Sequence, residues 1–491
     1  MGEIKVCFKE KLPNNQTKVT GKIEEPAKVV KVLTMLATPC VKNVEVNSSE
    51  AKITGELYLT GTACLEDNTV VETNSSQPFT ISVESAKIGQ DSKLEVYCNK
   101  IDNVSTTVNN GEISISTIVN CDVYVLNCTI YNCAQAEEDI FVQETEIETN
   151  YIKEQGKHNF APSIDVENGN IVLKSYNGII KNVVASEEYF TISGEVVANV
   201  MYNDNGNIKN SIKNFNFSEE VSCAGINKED VVHINIYPCL APTVVAGEDK
   251  TTLELPFVAD YIVGSKSKAE CVADAYSLQN EINLTTQSIE QTQLLPNKYI
   301  EETIMSNFVV PEDITPVDRI MAVTGESINV INSYIKNEEG NIEGIATVNV
   351  VYKGEDENGE VINSVVVDIP FNVSFQATDM LDDVDIACCV IFGDISSKVR
   401  KGQIELVVQI KINCNLSRNY INAVVTEISR GEVKIPRDCA LEIYVVKPNE
   451  TLWDVGKNLN ISTEDLINQN TDVALPLMGG EKLVVYRGYS S

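Results

Sequence analysis

Ile342-Glu343-Gly344-Ile345-Ala346-Thr347-Val348-Asn349-Val350-Val351-Tyr352 puts Ile342, Gly344, Ala346, Val348, Val350 and Tyr352 on one side of an extended chain. An apolar or small residue at every second position is the period of a strand with one buried face. The same strand is written at Ile192, Gly194, Val196, Ala198, Val200 and Tyr202, and more loosely at Ile53, Gly55, Leu57, Leu59, Gly61 and Ala63. In each copy a glycine stands two residues after the isoleucine, which predicts a bulge or a close backbone approach there. The three glycines lie about 140 and about 150 residues apart, a domain-sized interval rather than a solenoid period.

Reading outward, turn residues follow the second and third copies at Asn205-Gly206 and Asn358-Gly359, where a hairpin closes easily. A further strand then carries Phe79, Phe215 or Phe371. A closing strand alternates through Ile404, Leu406, Val408, Ile410, Ile412, Cys414 and Leu416, with parallels at Ile113 and Ile115 and at Leu253, Leu255 and Phe257. The Glu- and Gln-rich stretches 134–158 and 277–300 are either linkers or the opening strands of the next copy. Phe160 with Pro162, and Phe308 with Pro311, stand at similar distances ahead of their glycines and favour opening strands. The expected fold is multidomain: three mostly antiparallel β-domains at 1–140, 141–285 and 286–432, a linker at 433–441, and a small α+β βααβ module at 442–487.

The 491 residues exceed one core, since single cores stop growing near ~250–300 residues. Hydrophobic residues make up 43% and charged residues 22%, a globular balance. The net charge of −33 repels phosphate backbones and anionic headgroups, so no nucleic-acid partner is expected. No apolar run approaches the ~18 residues of a membrane helix, and the start lacks a signal-peptide pattern, so a cytoplasmic chain without membrane insertion is expected. Fourteen cysteines are scattered without any C-x-x-C pair, so neither a metal site nor a cofactor is expected. They read as small buried hydrophobes of a reducing compartment. His158 and His233 are the two histidines, which leaves no H-E-x-x-H, no triad with a spare histidine and no multi-histidine metal site. The densest carboxylate group, Asp379, Asp382, Asp383 and Asp385, reads as a solvated loop without a calcium-loop pattern. The chain is expected not to be an enzyme.

Past Pro436 the pattern changes. Ile443-Tyr444-Val445-Val446 predicts a strand, and Thr451 an N-cap for a helix with Leu452, Val455 and Leu459 on one side. Ser462 with Asp465 predicts a second capped helix carrying Leu466 and Ile467, and Leu483-Val484-Val485-Tyr486 a last strand. Trp453, the single tryptophan, is either an interface anchor or a cap on the module's small core, and the loop Leu475-Pro476-Leu477-Met478 is a candidate for an exposed contact surface, because an apolar loop is hard to bury in so small a module.

Over roughly residues 20–430 the tandem strand pattern resembles the SPOCS domain (DUF3794), a β-rich module of spore-coat proteins. The C-terminal spacing resembles a LysM domain. That family's strand valine, Gly-Asp-Thr-Leu turn, Val-Ser, Leu and Asn of the second helix, and Gly-Gln-x-Leu fall on Val446, Asn449-Glu450-Thr451-Leu452, Ile461-Ser462, Leu466, Asn470 and Gly480-Glu481-Lys482-Leu483. Asn449-Glu450 replaces Gly-Asp, Glu481 replaces Gln, and Tyr486 stands where a proline is usual. The resemblance implies a groove lined by Asn449, Glu450, Thr451, Leu452 and Trp453 on one side and by Asn470, Leu475, Pro476 and Leu477 on the other. SPOCS-like repeats followed by one LysM-like module is the order of the SipL-type family of spore-coat morphogenetic proteins. It implies a spore-coat assembly adaptor at the forespore surface in the mother-cell cytoplasm. Its LysM-like module would bind the coat's basement-layer ATPase, stage IV sporulation protein A, and its repeats other coat proteins. The alternative is a cortex or wall protein that binds peptidoglycan or N-acetylglucosamine polymers.

Overall fold

The computed structural model describes residues 3–487 except 14, 25–27, 103, 136, 205–206, 312–313, 358, 379–382, 401, 436 and 438, and only the backbone at 99 and 100. Asn205-Gly206, Asn358, Asp379, Asp382 and Pro436 therefore lie outside the described residues.

The chain begins with β1 (Glu3–Leu12), β2 (Gln16–Glu24), β3 (Val29–Asn47), β4 (Glu50–Leu65), β5 (Val70–Glu84), β6 (Lys93–Ile101), β7 (Ser105–Asn109) and β8 (Glu112–Asn132). Strands β3-β4-β5 form an antiparallel meander, while β8 runs between β1 and β2 on one side and β6 and β7 on the other. The inner faces of the two sheets share one core, in which Ile53, Leu57, Phe79, Ile113 and Val123 are buried. The plan repeats. In β9 (Ile140–Phe160), β10 (Ser163–Glu167), β11 (Ile171–Ala185), β12 (Tyr189–Asp204), β13 (Asn207–Ser222), β14 (Val231–Pro238), β15 (Thr243–Ala246), β16 (Lys250–Glu254) and β17 (Phe257–Ser277), the meander is β11-β12-β13. Its companion sheet is split into β14-β17-β9 and β10-β16-β15. In β18 (Asn280–Val309), β19 (Arg319–Lys336), β20 (Glu339–Asp356), β21 (Gly359–Gln376), β22 (Val384–Arg400) and β23 (Gln403–Val433), the two sheets are β19-β20-β21 and β18-β23-β22. The stretches 134–158 and 277–300 thus hold opening strands, and 286 falls inside β18.

The three Gly-centred strands are β4, β12 and β20, the middle strands of the meanders. Gly55, Gly194 and Gly344 pair with Phe79, Phe217 and Phe371 across the ladder. A Cβ on these glycines would lie 2.3–2.6 Å from the carbonyl oxygen of Cys40, Ile179 or Asn329 and 2.5–2.6 Å from the phenylalanine ring. The bare backbone is the floor on which the ring lies. Opposite each glycine the neighbouring strand bulges, leaving Lys42, Lys181 or Ile331 without a register partner. In the second copy the ring belongs to Phe217, while Phe215, on the same strand as expected, pairs with Val196 and is only half-buried. A side chain over glycine must come from the directly opposed residue, and register, not distance along the chain, selects it.

A second bulge recurs near the start of each meander, at Leu33, Val172 and Met321. These residues meet one another, together with Val70, Ile208 and Ile362 from equivalent positions of the third meander strands, in one buried cluster. Beyond this hub lies a polar layer to which every repeat contributes. Lys9 Nζ lies 2.5 Å from Glu95 Oε2, and both side chains are almost wholly buried. Asn415 Nδ2 donates to the Tyr97 hydroxyl and to the Ile234 carbonyl. His233 Nε2 lies 2.9 Å from the Leu295 carbonyl oxygen. Lys411 of the third repeat pairs with Glu195 of the second. Farther on, ribbons of β1, β8, β9, β17, β18 and β23 bury Ile4, Val6, Ile289 and Val424 together in a stem. None of the described helices is long and apolar enough to cross a membrane.

Six cysteines that were expected as buried hydrophobes are paired instead: Cys7–Cys128 and Cys98–Cys121 join neighbouring strands, and Cys40–Cys239 joins the first repeat to the second. The pleat explains Cys7–Cys128, which are register partners on adjacent antiparallel strands and so share a face within disulfide reach, while Cys98–Cys121 sits where β6 bulges against β8.

Gly344→Ala should destabilise the chain by ~1–3 kcal/mol in urea unfolding, the usual cost of overpacking where backbone cannot yield. His233 gives a pH signature: burial first, then the Lys9 charge, pushes its imidazole from 6.5 down to about 4. The folded chain therefore binds fewer protons than the unfolded chain between these values, so stability present above about pH 6.5 falls toward pH 4. Replacing it in His233→Asn should remove ~3 kcal/mol of that acid-side loss, read from unfolding curves at the two pH values.

Candidate functional site in the C-terminal module

After the third repeat come β24 (Leu441–Val445), α1 (Leu452–Leu459), α2 (Thr463–Gln469) and β25 (Lys482–Tyr486), with β24 antiparallel to β25. Both helices begin where side-chain caps satisfy open amides. Thr451 and Asp454 form a reciprocal capping box, and Ser462 Oγ accepts the Asp465 amide. Val446, Val455, Leu459, Ile461, Leu466, Leu483 and Val485 make the small core. The other face of the ribbon, with Leu441, Ile443, Val445, Val484 and Tyr486, is exposed.

The residues expected to line a groove have separate fates. Asn449 turns the first loop with φ +65°. Glu450 faces inward: its carboxylate accepts the Tyr444 hydroxyl at 2.7 Å and the Lys447 amide at 2.8 Å. Desolvation works against its charge, yet those bonds and the Lys447 ammonium hold it below the usual carboxylate range. Thr451 is the cap, and Leu452 is half-buried against the core. Asn470 ties α2 to β25, donating to the Leu466 and Val484 carbonyls and accepting the Val484 amide at 2.7 Å. Leu477 packs partly against the core. Leu475 and Pro476 are exposed, as is Met478 beside them.

Trp453 does not join these residues. Its indole N–H donates to Asp274 Oδ2 at 2.8 Å, and its ring meets the Tyr276 ring at 4.8 Å between centroids, edge to face. Both partners lie on β17 of the second repeat. Lys457 Nζ reaches the two Asp274 oxygens at 2.6 and 2.8 Å, and the Tyr276 hydroxyl donates to the Ile461 carbonyl at 2.9 Å. Asn460 Nδ2 donates to the Leu278 carbonyl, while Lys434 Nζ donates to both the Ser277 carbonyl and Asn460 Oδ1. The module is thereby seated on the stem. Asp274, Tyr276 and Lys434 were not foreseen, since a contact between residues 179 apart leaves no local pattern. Trp453, expected either to anchor a partner or to cap the module's own core, is held instead by β17 of the second repeat.

No described group of three or more His, Cys, Asp or Glu side chains is placed to hold a metal. Asp383 pairs with Arg418, Asp385 lies on β22, and His233 belongs to the polar layer. What the module offers is surface: an apolar loop tip at Leu475, Pro476 and Met478, and the apolar ribbon face.

Trp453 reports its own docking. Desolvation opposes ionisation of Asp274, but Lys457 and the Trp453 N–H hold its carboxyl below the usual range, so the seat is strong above that range and is lost as acid protonates it. Asp274→Asn should shift tryptophan emission to the red at neutral pH, and the wild-type shift should appear only on acidification below the ordinary aspartate range. No family model and no curated protein matches the chain.

Proposed function

We propose that this chain is a non-enzymatic adaptor of spore-coat assembly of the SipL type. In this reading the three β-domains are SPOCS-like repeats acting as a scaffold, and the LysM-like C-terminal module is its contact arm. It works at the forespore surface in the mother-cell cytoplasm, where the arm binds the basement-layer ATPase, stage IV sporulation protein A, and the repeats meet other coat proteins.

The observation that carries this reading is how the module divides its apolar residues. Trp453 is spent on fixing the arm to the scaffold, whereas Leu475 at 56% and Met478 at 69% exposure project from its loop. A rigid arm loses little freedom when it binds, and adjacent exposed apolar side chains offer a surface to bury against a partner. The glycan-binding alternative has less support, because Glu450 and Asn470, on opposite sides of the expected groove, make their hydrogen bonds within the module.

The double variant Leu475→Ala/Met478→Ala removes side chains outside the core, so its fold should be kept. It should weaken binding of the full chain to the purified ATPase by at least about tenfold, or ~1.4 kcal/mol, in a titration. Unchanged affinity in the folded variant, or retention of wild type on insoluble peptidoglycan without affinity for the ATPase, would sink the proposal.

A further inference from the structure

Cys133, just after β8 of the first repeat, and Cys271, on β17 of the second, bring their Sγ atoms to 2.8 Å across the inter-repeat boundary. Both residues are buried, 7% and 2% exposed, and neither is in a disulfide. The separation is roughly 0.8 Å more than a disulfide bond, so closure asks for little backbone movement. Behind the pair is the apolar stem of Ile4, Val6, Ile289 and Val424.

The pair also borders an opening. Both cysteines line a cleft of about 820 Å³ whose walls include Glu3, Glu144, Glu146 and Glu270, with Lys268 as the lining cation. Lys268 is itself paired with Glu146. The cleft is wide enough for a small reagent and carries a negative field that favours cations and repels anions. A second apposed pair is wider apart and lies within one repeat: Cys388 and Cys414 are register partners of β22 and β23 with Sγ atoms 3.7 Å apart.

We propose that Cys133 and Cys271 form a modification site, a fourth disulfide locking the first repeat to the second, formed by exchange with small cationic disulfides admitted by the acidic cleft. One cysteine thiolate attacks a sulfur of the reagent R–S–S–R and expels R–S⁻, which takes up a proton. The other cysteine then attacks the mixed disulfide, closes the Cys133–Cys271 bond and releases a second R–SH. The two protein thiols are oxidised, the reagent disulfide is reduced to two thiols, and no other oxidant is needed. Burial, then the neighbouring Cys133, pushes the Cys271 thiol up to about 12, so exchange proceeds through a small thiolate fraction and needs the reagent brought close. With Cys40–Cys239 already joining the same two repeats, the new bond would be their second covalent tie.

The test uses the full chain purified without reductant, incubated at mildly alkaline pH with cystamine, a dication, or with glutathione disulfide, an anion. Thiols are then alkylated, and peptides are mapped by mass spectrometry without reduction. The expected result is a Cys133–Cys271 linked peptide, with Cys388 and Cys414 both alkylated after unfolding. At low salt cystamine should act on the order of tenfold faster than glutathione disulfide, with the gap narrowing as salt is added. In Cys271→Ser, Cys133 should stop at a mixed disulfide with cystamine. Failure of the linked peptide to form while circular dichroism is unchanged, or a stable mixed disulfide in the wild type, would overturn the site; equal low-salt rates for the two reagents would overturn its charge selection.

Discussion

Leu33, Val172 and Met321 occupy bulges, and a bulge interrupts the alternation that assigns each strand residue to one face. Each is turned away from its own sandwich core into the shared cluster with Val70, Ile208 and Ile362. A lone repeat would present that patch to water, where it would invite association. Three repeats bury it against one another, each full side-chain burial contributing ~1.5–3 kcal/mol. The hub makes the repeats members of one body. It brings together the polar layer next to it and aligns the strands that continue into the stem.

The polar layer works by a different physics. Lys9 and Glu95 are nearly dehydrated, and such pairs gain little over an apolar contact of the same shape. Both belong to the first repeat, on β1 and β6, and their pairing holds those two strands in place about β8, because parting them would leave a buried charge alone, which costs several kcal/mol. Glu195 and Lys411 pair across the second and third repeats, and each also has a partner in its own repeat, Lys181 and Glu301. The hub supplies attraction without direction, and the Glu195–Lys411 pair together with the Asn415 hydrogen bonds to Tyr97 and Ile234, each joining different repeats, favours one arrangement among those it allows.

The stem carries these constraints to the C-terminal module. Asp274 and Tyr276 sit at the end of β17, whose other end, from Phe257, lies in the core of the second sandwich. Trp453 and Lys457 dock there, so the arm's orientation is inherited from the scaffold. The cysteines follow the same logic of proximity. Strands from different repeats run side by side in the stem, and thiols far apart in sequence become neighbours.

By itself the sequence determined the strands, their threefold recurrence and the capped helices of the last module. These features depend on neighbours in the chain: alternation in Ile342 to Tyr352 defines a buried face, and Thr451 or Ser462 satisfies amides three residues away. It also marked the glycines, since a residue without a side chain inside an apolar strand signals close approach. Which ring lies on Gly194 was decided by register, and Phe217 won over Phe215 because it is the directly opposed residue. Tertiary structure alone decided the partners of Trp453, Cys40 and Cys133, and the inward roles of Glu450 and Asn470. Each depends on a backbone brought close by the hub, the stem or the module's own core, and a one-dimensional pattern carries no measure of that distance.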